Sequence, residues 1–405
     1  MPTAPQPTLA LSRLFGSDLE PLRRAWGREA LLASLDERDA GDAFADLFSP
    51  EAVDELIAER GLRAPFLRIA KSGSALPDAQ FTAPGGVGAG VPDQVSEDKV
   101  RRLFADGATI VLQGLHRTWT PIRDFSQALA SELGHPVQVN AYVTPASNQG
   151  FSAHYDVHDV FVLQITGAKH WVVHDPVWPV PLRSQTWDAH ASEVAAMASG
   201  PPIIETDLSP GDVLYLPRGF VHSARALGGT TIHLTIGLHV WTQYHLAEAY
   251  LDAVRAVLAT DEAVRASLPL GVDVSAADQL RPDAAGAREA IETALAGVRT
   301  DQLAAALLAR SRGSSRPASL PPLAQLTSAD ALTPDTPIAL RPHLLASLED
   351  APDGRVVVRS RAGRFPLPAE LRPALERLLA GECVRAGEFG DAARALLVEG
   401  VGIAR

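Results

Sequence analysis

At 405 residues the chain exceeds the size of one ordinary hydrophobic core, so its length predicts roughly two to three domains. The hydrophobic fraction of 46% and the charged fraction of 21% exclude a disordered or fibrous protein. The formal net charge of -12 disfavours non-specific binding to nucleic acid or to an anionic membrane, and it favours basic partners.

Cysteine content and the N-terminal sequence narrow the class further. The single cysteine, Cys383, excludes an internal disulfide and a metal cluster built on the cysteines of one chain. A metal must therefore be held by histidine and carboxylate side chains. The N-terminus lacks a charged segment followed by a long apolar core, and no apolar run reaches the length of a membrane span. We expect a cytoplasmic protein.

The N-terminal part has mixed character. The apolar spacing in LFSPEAVDELIAERGL predicts a helix with Ser49 as its N-cap and Pro50 in its first turn. Residues 71–92 are rich in Gly, Pro and Ala, which predicts a loop that either frames a site or is a surface excursion. Residues 96–107 read as a helix that ends at a glycine.

The central part is dominated by short strands. A strand, a helix and a second strand are predicted over 108–115, 122–133 and 136–145. The apolar segments DVFVLQIT and KHWVVHD flank Gly167-Ala168, which predicts a tight antiparallel hairpin. Two further strand regions follow, in IIETDLSPGDVLYLPRGFVHSA and TTIHLTIGLHVW. This succession predicts an all-β domain, a small barrel or jelly roll.

From Tyr244 the pattern becomes helical, and the amphipathic faces require a partner, either the barrel or a second copy of the chain. A Ser/Pro/Arg linker is predicted over 312–322. The segments after it suggest a helix in RPHLLASLED, a strand in RVVVRS, a turn and two helices, which is the order of a small winged-helix-like domain. Ten arginines against nine acidic residues between Thr336 and Arg405 disfavour DNA binding and favour protein contact.

One pair of side chains in the central part has the spacing of a metal site. His154 and Asp156 are two residues apart, so in an extended chain both leave the same face and can bind one ion. His222, which ends the turn PRGFVH, can complete the site. Two imidazoles and one carboxylate on one face of a metal are typical of non-haem Fe(II) oxygenases. The alternative is a core histidine at 222 and a turn-capping Asp156.

Lys169 is the second unusual feature, because only Lys71, Lys99 and Lys169 are lysines among the 36 basic residues. An unpaired ammonium within a buried strand costs several kcal/mol, so Lys169 must find an anion. That anion is either a protein carboxylate, such as Asp175 or Asp188, or a ligand. A dicarboxylate co-substrate that chelates iron at one end and pairs with Lys169 at the other would explain the lysine.

Three more histidines lie in the same region. His158 follows His154 by four residues and reads as a surface group, an outer-shell group or a substrate contact. His170 and His174 share one face of a predicted strand, and we interpret both as structural.

The segments HYDVHDVFVLQITGAKHWVVHDP and PGDVLYLPRGFVHSA resemble the JmjC-type, cupin-fold 2-oxoglutarate oxygenases, specifically the ribosomal oxygenases that hydroxylate ribosomal proteins. The resemblance is strong over 135–241 and weak over the rest of the chain. It implies a mainly β catalytic domain with the double-stranded β-helix of the cupin jelly roll, a helical dimerisation domain and a winged-helix-like domain. We place these domains at residues 1–243, 244–322 and 323–405.

The resemblance also implies roles for individual residues. Fe(II) would be held by the catalytic triad of His154, Asp156 and His222, and the 2-oxoglutarate carboxylate would pair with Lys169. Further contacts to the co-substrate are implied for three residues: Asn140, Tyr142 and His233. The implied assembly is a homodimer formed through the helical region and acting on a ribosomal protein.

Two rival functions remain open from the residues. One keeps the oxygenase chemistry but acts on a small molecule or a peptide. The other is a metal-binding cupin without turnover, or a winged-helix regulator that carries a sensing barrel. Lys169 disfavours a plain metal-binding cupin, and the near-neutral terminal domain disfavours DNA contact. JmjC relatives that demethylate share the same iron site, so the iron site alone does not choose between hydroxylation and demethylation.

Overall fold

The computed structural model describes residues 9–37, 44–71, 73–146, 148 and 151–405. The chain divides into two compact units, Met1–Val240 and Trp241–Arg405. The predicted domain boundaries at residues 243 and 322 both stay predictions. Within the described ranges, no helix is long and apolar enough to cross a membrane.

Short helices and antiparallel strands build the first unit. Its helices are α1 (Ala10–Phe15), α2 (Glu20–Ala25), α3 (Pro50–Ala58), α4 (Glu97–Ala105), α5 (Leu115–Thr118), α6 (Thr120–Leu133) and α7 (Ala191–Ala198). Its strands are β1 (Leu31–Ala33), β2 (Leu67–Lys71), β3 (Ser74–Ala75), β4 (Thr82–Ala83), β5 (Gln94–Val95), β6 (Thr109–Leu112), β7 (Val137–Thr144), β8 (Asp159–Pro176), β9 (Ile204–Leu208), β10 (Val213–Leu216) and β11 (Phe220–Leu238).

One large sheet organises this unit, with the strand order β1-β10-β8-β11-β7-β6-β2-β3 and β9 paired to β8. The first half of β8 pairs with β10 and its second half pairs with β9. On its other edge, β8 pairs with β11 along both halves. Apolar side chains such as Phe161, Leu163 and Tyr215 pack beneath the sheet against the N-terminal helices. This β-rich antiparallel domain agrees with the predicted fold class.

The predicted hairpin at Gly167-Ala168 is wrong. Asp159–Pro176 is one continuous strand, because β11 pairs with it antiparallel along its length. Gly167 has a φ of 66°, and a Cβ at this position would lie 2.6 Å from the Thr230 carbonyl oxygen. The glycine therefore permits a close approach of two strands, beside an irregularity between Leu227 and Ile232, rather than a reversal of the chain.

Other local predictions for the first unit are confirmed. α3 begins after Ser49, whose hydroxyl accepts a hydrogen bond from the Ala52 backbone N–H at 3.3 Å. Strands β6 and β7 and helices α4 and α6 lie where the sequence predicts them. The segment 71–92 is mostly irregular but includes the short strands β3 and β4, and Ser72 lies outside the described residues.

Helices come first in the second unit, and two small sheets follow. Its helices are α8 (Gln243–Leu258), α9 (Glu262–Arg265), α10 (Ala277–Ala296), α11 (Thr300–Ser314), α12 (Pro322–Asp330), α13 (Arg372–Leu379) and α14 (Ala392–Val398). Its strands are β12 (Pro337–Leu340), β13 (Ser347–Asp350), β14 (Val356–Ser360), β15 (Gly363–Leu367), β16 (Val384–Arg385) and β17 (Gly402–Ala404). The sheets have the orders β16-β12-β17 and β13-β14-β15.

Two predictions for the second unit need correction. The helix predicted in RPHLLASLED is wrong, because the chain turns at His343 and Leu345, with φ of 58° and 52°, and then forms strand β13. A helix cannot continue through left-handed residues. The linker predicted over 312–322 begins too early in the prediction, because α11 extends to Ser314. The strand in RVVVRS and the last two helices are confirmed.

Candidate metal centre

His154, Asp156 and His222 meet at one end of the large sheet. A backbone bridge joins the two chain segments: the His154 N–H donates to the His222 carbonyl at 3.2 Å, and the His222 N–H donates to the His154 carbonyl at 2.8 Å. The ligand atoms of the three side chains lie within 4.8 Å of one another, and His222 Nε2 is 3.8 Å from Asp156 Oδ2. The structure thus brings the three predicted ligands together.

Each imidazole of this triad is oriented by a backbone carbonyl. Nδ1 of His154 lies 2.8 Å from the Ser152 carbonyl oxygen, and Nδ1 of His222 lies 3.0 Å from that of Phe220. Because a carbonyl only accepts, both Nδ1 atoms carry the proton. The two Nε2 atoms are then left with lone pairs, which is the tautomer a metal requires.

The charges of the triad also suit a cation. Burial, together with the neighbouring His154 imidazole, lowers the pKa of His222 to about 4, so this ring is neutral at neutral pH. Burial opposes ionisation of Asp156, but the imidazoles of His158, His222 and His154 outweigh it and hold the pKa of that carboxyl below its usual range. A neutral His222 imidazole and an ionised Asp156 carboxylate would therefore face a divalent ion.

A cavity extends from this triad into the sheet. Its lining combines polar and ionisable side chains with apolar and aromatic ones. The lining residues are Thr109, Tyr142, Thr144, Phe151, His154, Asp156, Val160, Val162, Lys169, Trp171, His222, Ser223, Ala224, His233 and Thr235.

Lys169 lies in this cavity and is only 3% exposed. Its Nζ donates to Thr144 Oγ1 and to His233 Nδ1, each at 3.3 Å. Within the described part of the chain, no carboxylate pairs with it, and neither Asp175 nor Asp188 contacts it. Burial lowers the pKa of Lys169 to about 7. A cation in such surroundings is stabilised by an anion that the cavity itself must receive.

Tyr142 and His233 face each other beside Lys169. Their rings stack at a centroid distance of 4.9 Å, and Trp171 packs edge-on against His233 at 5.5 Å. Burial, with Lys169 and His222 nearby, holds the pKa of His233 well below its usual range, and burial raises that of Tyr142. Both groups are therefore neutral hydrogen-bonding partners for an anion.

Asn140 and Tyr142 lie on the same face of β7, because they are two positions apart in the strand. Its side-chain oxygen accepts a hydrogen bond from the Gly114 N–H at 3.1 Å. Asn140 is not among the residues that line the cavity. The structure therefore gathers six of the seven predicted site residues around the cavity and sets Asn140 beside them.

Sequence reasoning missed Thr144 and Trp171, which also line the cavity. Thr144 continues the face of Asn140 and Tyr142, and Trp171 follows Lys169 by two residues, so strand alternation could have found both. Trp171 also has a buried Nε1 with no hydrogen-bond partner in the structure, a donor that a bound ligand could use.

His158, His170 and His174 are not among the residues that line the cavity. His158 packs against His239 at 5.4 Å, and its Nε2 lies 3.3 Å from Gln138 Nε2. His170 contacts Asp207 and Glu205 at the surface, and His174 is buried. The structural interpretation of His170 and His174 agrees with these positions.

The family model that describes a JmjC domain matches residues 116–246. This range includes the triad, Lys169 and the stacked pair of Tyr142 and His233. Residues 116–246 are thus similar to JmjC domains. The matched range covers about a third of the chain.

Relatives of known name are similar over a longer stretch. Ribosomal oxygenase 1 from Bos taurus and from Homo sapiens are both 29% identical over 269 residues, which is 64% of this chain and 38% and 40% of those proteins. A bifunctional lysine-specific demethylase and histidyl-hydroxylase NO66 from Culex quinquefasciatus is 38% identical over 123 residues, 28% of this chain and 17% of that protein. The chain thus covers about 40% of the length of the ribosomal oxygenases it matches.

Solved structures are similar over nearly the whole chain. The X-ray structure of E. coli ycfD covers 96% of this chain and 99% of that one, with 18% identity and a TM-score of 0.53. The ribosomal oxygenase YcfD in complex with cobalt and 2-oxoglutarate covers 95% and 97%, with 18% identity and a TM-score of 0.51. At this identity the likeness shows a shared fold.

Proposed function

We propose that this protein is an Fe(II)- and 2-oxoglutarate-dependent oxygenase that hydroxylates a side chain of a protein substrate, on a ribosomal protein. One observation carries the proposal. The His154, Asp156 and His222 triad shares a cavity with Lys169, a buried cation that pairs with no carboxylate among the described residues. A ligand that binds a metal with one end and offers a carboxylate at the other satisfies both.

The residues present fit a divalent iron. His154 and His222 would bind it through Nε2, since the Nδ1 protons are engaged by carbonyls, and Asp156 would bind through its carboxylate. When bound, iron and 2-oxoglutarate would supply the oxidising chemistry, in which O2 is consumed and 2-oxoglutarate is converted to succinate and CO2. Asp156 keeps 31% of its side-chain surface exposed, so the triad faces an opening through which a substrate side chain can approach.

The residues present also fit a dicarboxylate. Lys169 would pair with its distal carboxylate, and Thr144, Tyr142 and His233 stand beside that position as neutral hydrogen-bonding groups. The apolar walls made by Val160, Val162 and Trp171 would limit the access of water to the reacting end. The chain's part in the reaction is therefore to orient the co-substrate and to keep the site dry.

The ribosomal substrate is supported by relatives and by charge. The similar proteins are named ribosomal oxygenases, and the net charge of -12 suits a basic protein partner. Hydroxylation is the proposed reaction because an oxygenase or a hydroxylase name is common to both groups of relatives, the ribosomal oxygenases and the bifunctional lysine-specific demethylases and histidyl-hydroxylases.

Assembly and location belong to the same proposal. Helices α8 and α10 keep large apolar side chains exposed, Leu251 at 58% and Ile291 at 45%, which supports a homodimer formed through the helical region. We assign a winged-helix-like fold to the terminal residues because the hairpin β14–β15 precedes α13 and α14. A cytoplasmic location is part of this proposal, since a ribosomal-protein substrate would be met there.

The function is tested by incubating the purified protein with Fe(II), 2-oxoglutarate and O2 and measuring succinate, with and without a mixture of ribosomal proteins. We expect succinate formation that rises with the mixture, and a mass increase of one oxygen on one ribosomal peptide. The variant His154→Ala should form neither product. Succinate production without any modified peptide would favour the rival substrate, a small molecule or a free peptide.

The dimer has a separate test. Replacing Leu251 by Glu places a charge on the exposed face of α8, so we expect the sedimentation coefficient to fall from that of a dimer to that of a monomer. Arg255→Glu, on the same helix but at a polar position, is the matched control. Identical sedimentation of the Leu251→Glu variant and the parent would contradict a dimer through this face.

A further inference from the structure

A buried carboxylate lies three residues beyond Asp156 and outside the cavity. Asp159 is 1% exposed, and both of its oxygens are fully engaged. Oδ2 accepts a hydrogen bond from the Tyr215 hydroxyl at 2.7 Å, while Oδ1 accepts from the Arg218 backbone N–H at 3.2 Å and from its Nη1 at 3.1 Å. Because a buried charge is stable only with its partners in place, this network resists rearrangement.

Arg218 belongs to the turn that leads into β11. In this turn the Gly219 N–H donates to the Asp156 carbonyl at 3.0 Å, and the Phe220 carbonyl accepts from His222 Nδ1 at 3.0 Å. Three consecutive residues therefore contact the site: Arg218 binds the Asp159 carboxylate, Gly219 binds the backbone of Asp156, and Phe220 binds the imidazole of His222.

The turn is confined on its other side as well. Gly219 has a φ of 93°, and a Cβ there would lie 2.6 Å from the Trp178 carbonyl oxygen and 2.9 Å from Pro181 Cδ. The turn is therefore confined by the Trp178 and Pro181 segment as well as by its contacts with Asp159.

The network also reaches the N-terminal segment. The Tyr215 hydroxyl accepts a hydrogen bond from the Gly27 N–H at 2.7 Å, and its ring stacks on Trp26 at 5.5 Å. Tyr215 is fully buried. The Asp159 carboxylate is thus held by Tyr215, which belongs to the core. The same carboxylate holds Arg218 in the turn beside the metal site.

We propose that Asp159, with Arg218 and Tyr215, is a positioning element that sets the distance between Asp156 and His222 and so tunes the affinity and geometry of the metal centre. None of the three touches the candidate ion, so they act through the turn and not as catalytic residues. The inference rests on the metal centre of the proposed function and not on its substrate.

The test compares metal binding with folding stability, because a purely structural role would change only the latter. The variants are Asp159→Asn, which removes the charge, Tyr215→Phe, which removes one hydroxyl, and Arg218→Lys, which removes the Nη1 donor. Co(II) is the probe. Its dissociation constant is measured by calorimetry and its ligand field by visible absorption, while melting curves of the metal-free proteins record stability.

We expect Asp159→Asn to raise the Co(II) dissociation constant about 10-fold or more and to change the absorption bands of the bound ion, since outer-shell changes cost about 10–100-fold in affinity. Tyr215→Phe should shift both readouts in the same direction by less. Arg218→Lys should fall between the two, because lysine keeps the charge and the backbone N–H but loses the Nη1 donor.

Asp212→Asn is the matched control. Asp212 also engages both oxygens, with the Leu35 N–H at 2.9 Å and the Ser209 N–H at 2.7 Å, but it has no contact with the turn. It should lower the melting temperature without changing Co(II) binding.

Unchanged Co(II) affinity and spectrum in Asp159→Asn would overturn the inference. If that variant does not fold, Tyr215→Phe decides by the same criterion. A parent protein that binds no Co(II) would instead refute the metal centre itself, so the two failures are distinguishable.

Discussion

The two ends of the cavity hold charge in opposite ways. At the metal end, two imidazoles are fixed by backbone carbonyls and an ionised carboxylate stands beside them, so the ligand set is complete within the chain. At the other end, Lys169 is buried with only neutral partners, Thr144 and His233. The first end is prepared to receive a cation, and the second is completed only when an anion binds.

This difference indicates that the site binds the metal and the co-substrate by different means. The metal end draws its order from the fold, through the bridge between the two ligand-bearing segments. At the lysine end, the buried ammonium of Lys169 is unfavourable until an anion binds beside it. Binding at this end is therefore selective for a carboxylate. Variants at the metal end should consequently lose metal binding, and variants at the lysine end should lose co-substrate binding.

The largest effect is expected at the metal end. His154→Ala removes one of three ligands, and we expect the Co(II) dissociation constant to rise at least about 100-fold, beyond the range of outer-shell substitutions. Isothermal calorimetry on the metal-free protein measures it. Retention of Co(II) affinity within about threefold would show that another side chain holds the ion.

A selective effect is expected at the lysine end. Lys169→Met keeps the length of the side chain but removes its charge, so Co(II) affinity should stay within about threefold of the parent. The 2-oxoglutarate concentration that gives half-maximal succinate formation should rise about 10–100-fold, because a hydrogen bond to a charged group contributes about 1.5–3 kcal/mol. Equal co-substrate dependence in parent and variant would contradict the pairing with Lys169.

The pH dependence of folding stability gives a third comparison. The pKa of Lys169 is lowered to about 7 in the folded protein, below its ordinary 10.5, so between these values the unfolded chain binds one more proton. The free energy of unfolding therefore rises with pH, by up to about 1.4 kcal/mol per pH unit, relative to a chain without this lysine.

Urea unfolding of the metal-free parent and of Lys169→Met, from about pH 7 to about pH 9, measures the difference between the two slopes. Addition of Co(II) and 2-oxoglutarate should remove it, since a bound carboxylate keeps the lysine charged. Parallel slopes in the absence of ligand would exclude a depressed pKa for Lys169.

The smallest effect is expected at His170, on the outer face of β8. Its contacts with Asp207 and Glu205 are ion pairs with carboxylates that are more than half exposed. Such pairs contribute about 0–1 kcal/mol, so His170→Ala should change the free energy of unfolding by no more than this and leave Co(II) affinity unchanged. A loss of metal binding in this variant would extend the site beyond the triad.

Much of the fold could be predicted from local signals. Ser49 and Pro50 mark the start of a helix, and strict alternation marks β7, because caps and strand periodicity depend on neighbours in sequence. The hairpin at Gly167 was mispredicted, since a glycine between two apolar segments fits a turn equally well. Only the pairing with β11, some 60 residues further on, makes it a continuous strand.

The same distinction applies to the site. The spacing of His154 and Asp156 and the rarity of lysine around Lys169 are visible in the sequence, because they depend on residue type and on strand geometry. Thr144 and Trp171 follow from the same alternation once the strands are accepted. The partners of Asp159 are not visible, since Tyr215 and Arg218 are more than 50 residues away.

The sequence by itself determined the types of ligand, their spacing on one strand and the presence of a lysine that demands an anion, because these are properties of side chains and of local backbone period. The tertiary structure alone decided that His222 meets His154 through a backbone bridge, that no described carboxylate neutralises Lys169, and that Asp159 fixes the turn. Contacts between segments distant in sequence depend on how the strands of the sheet pair, and strand pairing is a property of the whole chain.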